Sequence, residues 1–388
     1  GSSSWLAYAN KATMKILYAA SEILPFASTG GLADISGALP LSMTRRGIES
    51  IRVMPLYRKV VEGGFQLKDT GVRVDIPVGF KSYKAEIWIK EDPVCPTYFV
   101  RRDEFFDRSQ LYSLPERDYD DNFERFVFFQ KAVVAMIDAL ALKPDVVHCS
   151  DWQTGLIPLY LRYGIQGMGR NMTERTVFTI HNVAYQGIFP GSQYSLTNLP
   201  FQCFSVDVLE FYGNVNCLKA GMTAANLVTT VSKTYAEEIR TAEYGCGLHG
   251  VLAQLGSRLV GIINGADYST WNPSKDPCLA KSYSPENLYG KKACKEDLIR
   301  SVGLTCDTNT PILGMVTRLV DQKGLDILAE AMPQLMQMNL AIVVLGVGQD
   351  KYQALCKSWA EKWPGRFVIQ LAYDLPLSHK IEGGADLF

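Results

Sequence analysis

Short, wholly apolar runs recur along this chain, and most of them end in polar residues. They include "KILYAA", "SIRVMPLY", "CPTYFVRR", "PDVVHCSD", "RTVFTIHN", "ANLVTTVS", "RLVGIINGAD", "PILGMVTRL", "AIVVLG" and "RFVIQLAY". Runs this short and this apolar suit strands buried on both faces. Helical patterns lie between them: Asp34–Arg46, "DDNFERFVFFQKAVVAMIDAL", "WQTGLIPLYLRYG", "KYQALCKSWAEKW", "LPLSHKIEGG", and "KGLDILAEAMPQLMQ" with Leu325, Leu328, Met332 and Leu335 on one face. Such alternation predicts a mostly parallel sheet covered by helices. "GVRVDIPVGF" and "KAEIWIKED" alternate at period two and predict a hairpin within the series. The pattern pauses in a Pro/Ser/Lys-rich stretch at Asn272–Glu286 and then restarts. The expected fold class is α/β, with two Rossmann-like domains facing a cleft. The expected boundaries are 14–271 for the first domain, 272–308 for a linker and domain edge, and 309–388 for a partial second domain. "ADLF" reads as the beginning of one more strand, so the second domain is expected to continue beyond this sequence.

Bulk properties exclude several classes. The 39 basic and 40 acidic residues leave a formal charge of −1, which steers neither nucleic acid nor an anionic membrane. Apolar runs stay below the length of a membrane span; "AVVAMIDALAL" is short and broken by Asp138. The head "GSSSWLAYANKAT" reads as a remnant or ragged leader, with Met14 as the expected natural start. Nine cysteines, an odd number without a CxxC pair, predict reduced thiols in a cytoplasmic or plastid-stromal protein. His148, His181, His249 and His379 are far apart in sequence and predict no metal site.

In parallel α/β folds the groups at the carboxyl ends of strands face the ligand. "FASTGGLADISGALP" follows the first strand; its Gly30-Gly31 pair suits either a phosphate held at a helix N-terminus or a bare tight turn, and Asp34 lies just inside the helix. His148, Asp151 and Gln153 end one strand, and His181 and Asn182 another; His148 reads as the structural histidine. "GIINGAD" supplies Asn264. Arg318 and Lys323 flank a βα turn and suit a diphosphate, or else simply face solvent. "VLGVGQD" carries GxG without the third glycine, which disfavours a nicotinamide cofactor.

The set "KILYAASEILPFASTGGLADISGALP", "DVVHCSDWQTGLIP", "FTIHNVAYQGIFP", "FYGNVNCLKAG", "YGCGLHGVL", "GIINGADYSTWNP", "GMVTRLVDQKG" and "GGADLF", in this order from Met14 onward, resembles the glycogen and starch synthases of family GT5. These are retaining glucosyltransferases of GT-B fold. The resemblance implies transfer of glucose from a nucleotide sugar, usually ADP-glucose, to the non-reducing end of an α-1,4-glucan, with no cofactor. It implies an acceptor-side first domain and a nucleotide-sugar-side second domain. Gly30 and Gly31 would lie against donor phosphates, Asp34 near the sugar, and Asp151 and His181 at the transferred glucose. Asn264 would line the floor, and Arg318 and Lys323, read as two buried cations, would neutralise the leaving diphosphate. Two departures stand out. Ser28 occupies the position of the family's loop lysine, and a segment like "PSRFEPCGLTQ" with its glutamate is absent after "GGADLF". About 100 residues of a complete second domain are not in this sequence. The alternatives are an inactive glucan- or nucleotide-binding homologue, or the same transfer from UDP-glucose. "YGCGLHGVL" and "ANLVTTVSKTYAEEI" argue against a sucrose or trehalose-phosphate synthase. No oligomeric state follows.

Overall fold

The computed structural model describes residues 13–114, 117–166 and 174–388. The chain divides into two compact units, Gly1–Gly265 and Ala266–Phe388. Its strands are β1 (Lys15–Ala19), β2 (Glu49–Pro55), β3 (Lys68–Val78), β4 (Lys81–Lys90), β5 (Thr97–Arg101), β6 (Val146–Ser150), β7 (Arg175–Ile180), β8 (Ile188–Pro190), β9 (Glu210–Phe211), β10 (Asn214–Asn216), β11 (Leu227–Thr230), β12 (Leu259–Gly261), β13 (Ile312–Val316), β14 (Ala341–Leu345) and β15 (Phe367–Gln370).

Unit 1 is built on a nine-stranded sheet of order β12-β11-β7-β6-β1-β2-β5-β4-β3. The seven strands from β12 to β5 run parallel. The period-two hairpin β3–β4 is not inside the parallel series: it joins β5 antiparallel and forms one edge. An exposed edge tolerates one polar face, which is why β3 alternates while the central strands do not. Helix Asn122–Ala139 is apolar on almost every side, and 15 of its residues are buried, so it is a central core helix. Its buried polar groups are all engaged. The Arg125 guanidinium donates to the carbonyls of Phe105 and Leu111 and to Asn122 Oδ1. Gln130 Oε1 accepts the N–H of Leu156, and Lys131 Nζ donates to Pro77 O and Asn198 Oδ1.

The stretch "WQTGLIPLYLRYG" is not one helix. It forms a 3₁₀ turn at Trp152–Thr154 and then helix Ile157–Tyr163. The Thr154 hydroxyl donates to Ser150 O at 2.8 Å and tightens the turn. Gly155 then passes the helix Cys217–Ala224 so closely that a Cβ would sit 2.0 Å from Cys217 O.

Unit 2 carries the parallel sheet β13-β14-β15. β14 shows how it is covered. Ile342 and Val344 face one core with Leu325, Met332, Cys356 and Trp359, from helices Leu325–Leu335 and Asp350–Lys362. Ala341, Val343 and Leu345 face a second core with Leu298, Val302 and Ile381, from helices Tyr289–Val302 and Leu375–Gly384. Helix Tyr289–Val302 has no counterpart in the sequence reading: "YGKKACKEDLIRSV" is rich in charge, and only Gly290, Cys294, Lys295, Leu298 and Val302 are buried. "ADLF" contributes a single parallel bridge, Leu387 to Leu313, beside β13. Both units are thus Rossmann-like α/β layers, as the alternation predicts.

The GxG of "VLGVGQD" is explained by close backbone approach and, at Gly346, by a φ of 158°. A Cβ on Gly346 would lie 1.8 Å from Thr317 O, and one on Gly348 would lie 2.2 Å from Leu319 O. The loops after β13 and β14 cross backbone to backbone, with Leu319 N donating to Val347 O and Gln349 N to Leu319 O. Gly346→Ala must push these loops apart. Thermal or urea unfolding is expected to show a loss of roughly 3 kcal/mol; an unchanged midpoint would contradict this close approach.

Candidate active site at the switch point of the first sheet

The chain runs from β1 outward to β2 on one side and returns to β6 on the other. The loops leaving β1 and β6 therefore diverge, and their carboxyl ends bound the crevice where ligands bind in open α/β sheets. The loop after β1 holds Gly30 and Gly31; the loop after β6 holds Asp151; the loop after the adjacent β7 holds His181. Four of the sequence candidates converge on one end of one sheet.

Gly30 is the extended N-cap of helix Gly31–Arg45, and Asp34 lies exposed in the first turn. Gly37, one helical turn further in, is needed for packing: a Cβ there would lie 2.8 Å from Leu24 O. Gly31 differs. Its position is exposed, and a Cβ would meet nothing within 4 Å. Ser28 is buried, its hydroxyl 3.5 Å from Gly30 O.

Asp151 has φ 58°, an uncommon value for a non-glycine residue, and is buried. Its Oδ1 accepts the N–H of His181 at 2.8 Å, and its carboxylate also receives the N–H of Asn182. Val183 N donates to Tyr235 Oη, and Ala184 N to Asn182 Oδ1. The backbone of the 181–184 loop is thereby held, and the His181 ring projects from it. Burial pushes the Asp151 carboxyl up to about 7, against the lowering effect of the two N–H donors.

The two histidines separate clearly. His148 Nε2 is 2.7 Å from Thr179 Oγ1, which in turn is 2.7 Å from Thr229 Oγ1. The Tyr18 ring packs on His148, with centroids 4.6 Å apart. His148 is a satisfied core group. His181 is not: its Nε2 is buried without a hydrogen-bond partner among the described residues, as is Gln153 Oε1. Burial pulls His148 down to about 3 and His181 to about 4, so both rings are neutral near pH 7.

Asn264 is exposed just past β12. In unit 2, Lys323 closes a 3₁₀ turn, Asp321–Lys323, ahead of helix Leu325–Leu335, and Arg318 lies between β13 and that turn. Both cations are exposed, which corrects the expectation that they are buried: each projects from a loop beyond the sheet. Asp321 anchors that loop by accepting from Lys351 Nζ and from Tyr352 Oη at 2.7 Å, and these donors hold its carboxyl down at about 2.

The fold also gathers groups that the sequence spacing separates. Asp276, Cys278 and His379 bring their ligand atoms within 4.8 Å of one another. His379 Nδ1 already pairs with Asp276 Oδ2 at 2.5 Å, and the Trp271 ring stacks on it with centroids 4.0 Å apart. That arrangement satisfies the histidine without a metal ion. Sequence reasoning also missed Glu22. It is 3% exposed, and its carboxylate accepts from Thr29 and Tyr112. An acid directly beyond a buried strand was the available signal.

Comparison with known proteins adds an independent line. The family model described as the starch synthase catalytic domain matches residues 15–254. Glycogen synthase 2 of Geobacter sulfurreducens is 40% identical over 375 residues, covering 97% of this chain and 78% of that protein. Glycogen synthase of Opitutus terrae is 40% identical over 377 residues, with the same coverage of 97% and 78%. Among solved structures, the catalytic domain of starch synthase IV from Arabidopsis thaliana, bound to ADP and acarbose, superposes with TM-score 0.87 at 31% identity, covering 97% of this chain and 78% of that one.

The buried titrating groups predict a pH signature. The native state refuses protons at His148 and His181 that the unfolded chain binds near its ordinary 6.5, so their contribution to stability is lost as pH falls from about 6.5 towards 4 and below. Asp151 acts in the opposite sense. Its raised native value favours the native state below 3.8, a contribution lost as pH rises through about 7. Relative to the parent, His181→Gln is expected to lose less stability on acidification from pH 6.5 to pH 4, and Asp151→Asn to lose more from pH 7 to pH 4. Urea unfolding at stepped pH measures both; parallel curves for all three proteins would contradict the buried, neutral assignments.

Proposed function

The chain belongs to the GT5 family of glycogen and starch synthases, glucosyltransferases of two-unit GT-B fold, and from that premise we propose that it transfers glucose from ADP-glucose to the non-reducing end of an α-1,4-glucan with retention. The observation that carries the reading is the buried, partnerless Nε2 of His181 at the switch point of the first sheet. A buried ring nitrogen without a partner is costly, and a sugar hydroxyl would satisfy it.

In this reading the neutral His181 ring makes its hydrogen bond to the transferred glucose. Asp151 works one step back, by holding the His181 backbone. In unit 1, Gly30 and Gly31 take donor phosphate, with Asp34 near the sugar and Asn264 lining the floor. In unit 2, Arg318 and Lys323 compensate the charge that grows on the departing nucleoside diphosphate. The leaving phosphate itself deprotonates the acceptor hydroxyl, so donor and acceptor react on one face of the sugar. No carboxylate pair is assigned to a double displacement.

One observation favours a second reading. Ser28 is buried where the family resemblance expects a lysine, so the glycine loop has no cation of its own at that position. Donor or glucan binding without turnover is the outcome if that lysine is indispensable. Radiolabelled ADP-glucose and UDP-glucose, each offered with glycogen, separate these readings: transfer from ADP-glucose supports the synthase, and binding of ADP without transfer supports the binding homologue.

Two substitutions test the roles. His181→Ala removes a nitrogen that makes no internal hydrogen bond among the described residues, so melting temperature is expected to stay near the parent's while turnover falls roughly 100-fold or more. Lys323→Ala is likewise expected to leave folding intact, because the side chain is exposed, and to lower turnover by about the same factor. Stability and rate falling together, or turnover unchanged at saturating donor, would contradict these assignments.

A further inference from the structure

We infer that Glu22 is the positioning residue of the glycine loop: its carboxylate fixes the chain from Ser28 to Gly31 in the shape that receives the donor diphosphate. The inference rests on the glucosyltransferase reading above and names a residue to which that reading gives no role.

The clamp includes three donors. Glu22 follows β1 at the switch point and is 3% exposed. Its Oε2 accepts the backbone N–H of Thr29. Its Oε1 accepts the Thr29 hydroxyl at 2.7 Å and the Tyr112 hydroxyl at 2.7 Å. The Tyr112 oxygen also lies 2.8 Å from Ser21 Oγ, so the neighbouring residue is drawn into the same network. A buried carboxylate binding both the N–H and the hydroxyl of one residue fixes that residue in position and direction. Here it ties Thr29 inward, directly before the Gly30-Gly31 pair. Thr29 is seven residues from Glu22 within the same loop, and Tyr112, 90 residues away, ties this clamp to the rest of the fold.

A second observation points to what the loop receives. Gly31 is exposed, lies outside the left-handed region, and a Cβ on it would meet nothing within 4 Å. Packing and backbone geometry therefore do not call for glycine at this position. Glycine with open space beside it, at the start of a 15-residue helix and on the crevice side of the sheet, fits the close approach of a ligand to the backbone. In this reading Glu22 is given no contact with that ligand: its carboxylate accepts from Thr29 and Tyr112, and its effect reaches the diphosphate through the loop.

The test measures ADP binding by calorimetry and steady-state transfer from ADP-glucose to glycogen, using the whole chain. Gly31→Val is expected to keep the parent melting temperature and to raise the Kd for ADP, because the new side chain fills space the protein leaves open. Glu22→Ala is expected to raise the ADP Kd and the KM for ADP-glucose roughly 10- to 100-fold. Glu22→Gln is expected to recover most of that loss, since its amide oxygen still accepts the Thr29 N–H. If Glu22→Ala does not fold, Thr29→Val deletes one hydroxyl contact only, and a Kd rise of roughly fivefold is expected. Parent-like ADP affinity in Glu22→Ala or Thr29→Val, with weakened binding in Gly31→Val, overturns the clamp and leaves the donor loop standing. Parent-like affinity in Gly31→Val overturns the donor assignment of the loop itself.

Discussion

The parallel pairing of β1 with β6 is the constraint on which the first unit depends. Ile16 lies opposite Val146 and Ala19 opposite Cys149, so the two strands end level. The chain departs from them in opposite directions, and the loops cannot close over the gap. Tyr18 ties the floor together. Its hydroxyl is 2.9 Å from Ser150 Oγ and 3.5 Å from Ser36 Oγ, and its ring packs on His148. One tyrosine thus links β1, β6 and the helix that follows the glycine loop. The site is placed by strand order before any of its functional side chains is considered.

Accounting for buried polar groups shows how the site is held open. Loops crossing the end of a sheet leave N–H groups that the strands cannot satisfy. Here carboxylates and hydroxyls take them: Glu22 for Thr29, Asp151 for His181, Tyr235 for Val183. Gln130, from the central helix, takes the N–H of Leu156. With the backbone satisfied in this way, His181 Nε2 and Gln153 Oε1 remain buried without partners among the described residues. Buried polar atoms without a partner also occur elsewhere in the unit, Thr97 Oγ1 and Arg52 Nε among them, so it is their place past the strand ends on which an external partner for these two is proposed.

Some glycines in this molecule make room for a crossing chain and others do not, and only the structure separates them. Gly37, Gly155, Gly346 and Gly348 admit a crossing backbone, with Cβ clashes of 2.8, 2.0, 1.8 and 2.2 Å respectively. Gly187 admits the ring of Trp152 in the same way, at 2.5 Å. Gly31 admits nothing of the chain itself. In the sequence "TGGLAD" suits either a phosphate or a bare turn, and "LGVGQD" carries GxG without the third glycine. The second is consumed by internal packing, which removes the case for a dinucleotide fingerprint there on physical grounds.

The sequence by itself determined most of the strands and helices and the end of the sheet that carries the candidate residues. Strands buried on both faces must be apolar throughout, and the polar residues that follow them, "SE", "SD" and "HN", are visible in one dimension. It also carried the family resemblance through ordered motifs. Tertiary structure decided the rest, because the deciding partners are distant. Glu22 meets Tyr112 across 90 residues, and His148, already read as structural, meets its partner Thr179 across 31, while His181 Nε2 meets none among the described residues. Helix Tyr289–Val302 was obscured by its charges, since a helix needs only Cys294, Leu298 and Val302 on one stripe to pack. The exposure of Arg318 and Lys323 and the inward pairing of Asp276 with His379 were equally out of reach. Periodicity records which face of an element is buried; it does not record which group from elsewhere in the chain arrives to satisfy what lies there.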